Sequence, residues 1–145
     1  MALTAYNLKM VATLQPAVRP LAENLLRLAA DRGIPLRVVS AVRTPEAQQA
    51  LYTSGAGVTN APALMSYHNH GLAFDVVPEE YLPLPEWNPE GVYWEAIGAI
   101  GKSVGLEWGG DWKKKDRPHF QLTAAPIGEL KAYYEKFKAW MPVKI

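Results

Sequence analysis

The chain has 145 residues, of which 49% are apolar and 20% charged, with a formal net charge of +1 and no cysteine. That length supports a single domain over residues 1–145 with a sizeable core. The missing thiols exclude a disulfide framework and a thiolate metal site, and the near-neutral balance gives no general attraction to nucleic acid or an anionic membrane.

Taken in chain order, the N-terminus lacks a basic segment followed by an apolar run. No window approaches the roughly 20 apolar residues of a membrane span. Synthesis and folding in the cytosol, with no membrane insertion, are therefore expected. The first helix is predicted over Pro20–Arg32, with Leu21, Leu25, Leu28 and Ala29 on one face and Gly33 as its stop. Leu36–Ser40 reads as a short strand. Thr44-Pro45-Glu46 offers a capping hydroxyl, a proline at the first helical position and an acid in the first turn, so a helix to about Thr53 follows. Ser54–Met65 has loop composition. Leu72–Val77 reads as a strand with Leu72, Phe74 and Val76 on one face and Ala73, Asp75 and Val77 on the other. Pro78–Pro89 carries four prolines and reads as a stiff connection. Asn88-Pro89-Glu90 opens a helix to about Val104, with Gly105 as its terminal signal. Gly98 and Gly101 lie inside that helix and each costs about 1 kcal/mol relative to alanine. Leu106–Trp108 and His119–Leu122 read as strands, and Pro126–Trp140 as a last helix with Leu130, Tyr133, Tyr134 and Phe137 at helical spacing. The pattern is α+β, a small antiparallel sheet flanked by helices.

The three histidines carry the chemistry. Two lie in Ser66-Tyr67-His68-Asn69-His70-Gly71-Leu72-Ala73-Phe74-Asp75, and the third closes Asp116-Arg117-Pro118-His119. Two imidazoles and a carboxylate make a three-ligand set for a catalytic zinc, with the fourth position left to water. His68 and His70 are two residues apart and on an extended segment would share a face, so the residues alone leave open which of them joins Asp75 and His119. Asp116, three residues before His119, is a second carboxylate suited to proton transfer. Its bland alternative is a loop carboxylate paired with Arg117.

Ser66-x-His68-x-x-Gly71-x-Ala73-x-Asp75, followed by Glu107-Trp108-Gly109-Gly110-Asp111-Trp112 and Asp116-Arg117-Pro118-His119-Phe120, resembles the LAS-type zinc peptidases, the group of lysostaphin, D-Ala-D-Ala metallopeptidases and the sonic hedgehog fold. Within it the chain is most similar to the L-alanyl-D-glutamate peptidases used as phage endolysins. The resemblance runs from about Ser40 to Leu122 and implies a hedgehog/D-Ala-D-Ala peptidase-like fold. It implies Zn2+ held by His68, Asp75 and His119, with His70 left to line the site or bind substrate. It gives Asp116 the role of acid/base. Ser40-x-x-Arg43-x-x-x-x-Gln48 matches a family pattern in which the arginine faces the substrate carbonyl or a carboxylate, although most arginines simply sit at the surface. Ser66, Gln48 and Trp108 become candidates for substrate contact or for support behind it; a tryptophan is more often packing.

The function expected on this resemblance is hydrolysis of the peptidoglycan stem peptide at the L-Ala–D-Glu bond, in phage lysis of a host. The enzyme would be a monomer in the host cytoplasm until its release to the wall. D-Ala-D-Ala carboxypeptidase action is the nearest rival, and a non-catalytic zinc-stabilised binding module is a rival of another class. Lys113-Lys114-Lys115 reads as a solvated loop, too short a run to argue for nucleic acid, though it would favour approach to an anionic wall.

Overall fold

The computed structural model of the chain describes residues 3–54, 59–82 and 93–144. Its helices are α1 (Ala5–Val11), α2 (Arg19–Asp31), α3 (Pro45–Thr53), α4 (Tyr93–Ser103) and α5 (Ile127–Phe137). Its strands are β1 (Leu36–Ser40), β2 (Ala73–Pro78), β3 (Glu107–Trp108) and β4 (His119–Gln121). The four strands form one sheet in the order β1-β2-β4-β3, with every pair antiparallel. The α+β architecture expected from the sequence is the one found.

Local chemistry accounts for the ends of the elements. Thr44 accepts the Ala47 amide at the start of α3, followed by Pro45 and Glu46 in its first turn. Gly33 and Gly105 take φ of 79° and 108° just beyond α2 and α4, values that a side chain disfavours. Helix α5 stops at Phe137 instead of running to Trp140, because Lys138 turns left-handed at φ 55°. In α2 the buried face is Ala22, Leu25, Leu26 and Ala29, while Leu28 faces out. The expected stripe was rotated by part of a turn, an ambiguity inherent in a leucine-rich helix. The expected helix start at Asn88–Glu90 and most of the proline-rich connection lie outside the described residues.

Helix α1 was not anticipated. Its seven residues are too few for a periodic signal, although Thr4 caps it by accepting the Asn7 amide. Its use is clear in the structure. Buried Asn7 donates to the Leu36 carbonyl at 2.8 Å and accepts the Val38 amide at 2.9 Å. One side-chain amide thereby pairs two backbone groups of β1 that its ladder with β2 does not use.

The two faces of the sheet have different tasks. Phe74 and Phe120 stack with ring centroids 6.0 Å apart on the core side. Gly98 and Gly101 of α4 meet the rings of Trp108 and Phe120 so closely that a Cβ at either position would overlap them. The two glycines therefore let α4 sit directly on β3 and β4, which explains their presence within a helix. The opposite face carries Asp75 and His119, and above it opens the cleft described next.

Candidate metal centre

Strand register brings two of the three expected ligands together. Asp75 in β2 lies directly opposite His119 in β4 and opposite Ser40 in β1. Directly paired residues of an antiparallel sheet project on the same side. A register irregularity between Val38 and Ser40 lets Val39 and Ser40 both line the cleft, where strict alternation would send them to opposite faces. His68 arrives from the turn before β2. That segment, Tyr67–His70, is a 3-10 turn and not the extended run on which His68 and His70 would share a face. Ser66 caps it and Gly71 closes it at φ 68°.

His68, Asp75 and His119 are buried, and one ligand atom from each lies within 4.8 Å of the others. His68 Nε2 is 3.4 Å from Asp75 Oδ2, and His119 Nδ1 is 3.3 Å from Asp75 Oδ1. Bonds of ~2.1 Å in a tetrahedron require ligand atoms about 3.4 Å apart. The remaining nitrogens are already committed. His68 Nδ1 donates to the Ala41 carbonyl at 2.7 Å, which turns the lone pair of Nε2 toward Asp75. His119 Nε2 meets Gln121 Oε1 at 2.7 Å. Asp75 Oδ1 is buried, and its one near polar neighbour given above is His119 Nδ1 at 3.3 Å. A buried carboxylate with one oxygen beside each of two imidazoles fits a divalent cation.

The electrostatics agree with this fit. Burial alone would raise the Asp75 carboxyl, but His68 and His119 outweigh it and hold it far below the ordinary carboxylate range. Burial works to lower His119, yet Asp75, Gln121 and Asp116 around it raise it. Asp116 is 51% exposed and stands at the rim, with Oδ2 4.0 Å from His119 Nδ1. Desolvation and the Asp75 charge raise its carboxyl, against lowering by His119, His68 and Arg43. Its backbone is fixed by the 2.9 Å bond from its amide to the Gly109 carbonyl, and the Asp116 carbonyl occupies the space that a Cβ on Gly109 would need.

The cleft above these groups encloses about 810 Å³, within the ~300–1,000 Å³ usual for ligand sites. Arg43 and Ser66 line it. The Arg43 fork is held by Gln48 Oε1 at 2.9 Å and Ser40 Oγ at 3.3 Å, which leaves further donors free for substrate. Gln48 itself is fully buried and holds Thr59 and the Ala61 carbonyl, so it supports the wall without lining it.

His70 and Trp108 lie elsewhere. His70 is 0% exposed, bonds the Leu64 carbonyl through Nε2 and packs edge-on to Tyr134. Trp108 is 2% exposed in the core, with its indole donating to the Arg117 carbonyl. The register explains this, because Trp108 pairs with Phe120 and so shares the core face of β4. Trp112 takes the place in the cleft wall, its ring 5.0 Å from that of His119. Tyr67 and Gln121, neither singled out in the sequence, also line the cleft. Nothing in the spacing of Trp108-Gly-Gly-Asp-Trp112 chooses between the two tryptophans until the register is known.

Comparison with known proteins identifies relatives of this chain. Residues 59–122 match a family of M15 peptidases described as D-alanyl-D-alanine carboxypeptidase. The peptidoglycan L-alanyl-D-glutamate endopeptidase CwlK of Bacillus subtilis (strain 168) is 35% identical over 124 residues, 75% of this chain and 73% of that protein. The L-alanyl-D-glutamate peptidase of Listeria phage A118 is 36% identical over 112 residues, which cover 74% of this chain but 37% of the phage protein. Among solved structures, the Serratia marcescens L-Ala D-Glu endopeptidase ChiX superposes with a TM-score of 0.61 at 29% identity, covering 85% of this chain and 90% of ChiX. The D,D-pentapeptidase VanY, solved with Zn(II), shares the fold at a TM-score of 0.55 and 16% identity, over 88% of this chain and 80% of VanY. With residues 59–122 matching the family and a relative 35% identical over 73% of that relative's length, the chain belongs to the M15 family of metallopeptidases.

Proposed function

We propose that this peptidase is a zinc enzyme that cuts the stem peptide of bacterial peptidoglycan between L-Ala and D-Glu. The observation that carries the reading is the convergence of His68, Asp75 and His119 on one point, with Asp116 beside them at an open cleft. CwlK and ChiX, both named for this bond, support the specificity. The Listeria phage relative supports use as an endolysin in host lysis.

His68 Nε2, an Asp75 carboxylate oxygen and His119 Nδ1 would hold the metal. Bound zinc supplies Lewis acidity toward the scissile carbonyl and lowers the pKa of water toward about 7. Asp116 Oδ2 takes the proton from the attacking water and returns it to the departing amine. Its raised pKa brings it nearer to the operating pH of such a base. Arg43, fixed by Gln48 and Ser40, presents a guanidinium to the carbonyl oxygen as negative charge develops there. Trp112 and Tyr67 form apolar walls that orient the peptide, while Ser66 lies within reach of it.

Digestion of purified peptidoglycan, with and without a chelator, tests the bond. Mass spectrometry should find fragments with a new D-Glu amino terminus, and the chelator should abolish them. Release of free D-alanine without that terminus would make the chain a carboxypeptidase. No cleavage by the zinc-loaded protein would return it to a binding module.

A further inference from the structure

His119 stands at the end of a chain of hydrogen bonds that leads out of the cleft to the surface. Its Nε2 faces Gln121 Oε1 at 2.7 Å, Gln121 Nε2 donates to Thr123 Oγ1 at 2.9 Å, and Thr123 Oγ1 donates to Glu107 Oε1 at 2.9 Å. The other oxygen of the same carboxylate, Glu107 Oε2, accepts the Trp112 indole N–H at 2.8 Å. Trp112 then returns over the His119 ring. The circuit is built by the β3–β4 register, which sets Glu107 directly opposite Gln121. His119, Gln121 and Thr123 follow at two-residue intervals.

The direction of every proton in this circuit is fixed by its end. A carboxylate accepts and cannot donate. The single hydroxyl proton of Thr123 is therefore committed to Glu107, so its oxygen must accept from Gln121. The Gln121 amide is thereby oriented with its oxygen toward His119, whose Nε2 must carry hydrogen. The lone pair is left on Nδ1, facing Asp75. We infer that Glu107, an exposed residue outside the cleft, is a positioning residue that sets His119 to bind metal through Nδ1 and pins Trp112 in the cleft wall. The inference rests on the metal centre proposed above.

Zinc affinity in competition with a chromophoric chelator, together with 15N NMR of the His119 ring and of the Trp112 indole N–H, tests this role. Thr123 and Glu107 are exposed, so substitutions there leave the core intact, and the melting temperature serves as the control. Thr123→Val cuts the chain and should weaken zinc binding roughly 10-fold, the lower end of the loss seen when a metal ligand's direct partner is removed, since Gln121 itself remains. It should also speed exchange of the His119 Nε2–H. Thr123→Ser should restore both. Glu107→Gln offers one acceptor oxygen where two are needed and should weaken zinc binding, speed exchange of the Trp112 indole N–H, or both. Zinc affinity within about twofold of wild type in Thr123→Val and Glu107→Gln, with both N–H signals unchanged, would overturn the role. The N–H signals are read in metal-free protein as well. A wild type that takes up no zinc therefore refutes the metal centre, while the exchange rates still decide the circuit.

Discussion

Each site residue owes its chemistry to what holds it. Asp116 has a polar rim position, a half-open carboxyl and a backbone pinned to Gly109, and it is not one of the proposed metal ligands. Asp116→Asn should accordingly keep the fold and the zinc but lose turnover by roughly 10²-fold or more, the scale of general acid–base catalysis. Turnover near wild type would remove it from the mechanism. His70 is the contrasting case. Burial lowers its pKa, partly opposed by its bond to the Leu64 carbonyl, and its Nδ1 has no partner among the described residues to stabilise a second proton. The folded state prefers neutral His70, whereas the unfolded chain protonates near the usual ~6.5. Its contribution to stability is thus present above that pH and lost as pH falls through it toward the lower folded value. In His70→Gln, which can still donate to Leu64, that dependence should vanish. The stability gap between wild type and variant should narrow between about pH 7.5 and 5.5; a gap independent of pH in denaturant melts would contradict the reading.

At the scale of elements, periodicity and capping carried most of the information. Thr44-Pro45-Glu46, Gly33 and Gly105 announced their helix ends because each acts on backbone within a few residues. Side-chain alternation assigned the two faces of β2 correctly, since one face is apolar and the other bears Asp75. What could not be read was non-local. The choice of Trp112 over Trp108 depends on the pairing of Trp108 with Phe120, and the use of Asn7 depends on which strand lies at the edge. Gly98 and Gly101 looked like flaws in α4 for the same reason, because the rings they admit come from β3 and β4. Helix propensity alone predicts that Gly→Ala at either position stabilises by about 1 kcal/mol. The contacts predict the reverse, a net loss of about 1–3 kcal/mol from overpacking. Chemical denaturation of Gly98→Ala and Gly101→Ala separates the two, and stabilisation in both would show that α4 does not rest on the sheet through them.

Across the whole molecule, the sheet and the C-terminal segment jointly build the centre. The indole of Trp140 donates to the Asn69 carbonyl at 2.9 Å and lies against Gly71, while Gln15 bonds the carbonyls of His70 and Met141 and the amide of Val143. The turn that delivers His68 is thus clamped by residues far from it in sequence, and the other two proposed ligands come from paired strands. No helix among the described residues is long and apolar enough to cross a membrane. The candidate ligand set stood out in the sequence because the chain has only three histidines, although the choice of His68 over His70 came from the family resemblance, whereas the clamp around it is made of ordinary amides and a tryptophan that no motif marks. The proposed metal centre uses His68, Asp75 and His119 and leaves His70 out. Elemental analysis of purified wild type, His68→Ala, His119→Ala and His70→Ala tests it directly. One zinc per chain is expected in wild type and in folded His70→Ala, with strong loss in the other two. Stoichiometric zinc in His68→Ala and His119→Ala, together with loss in His70→Ala, would contradict it.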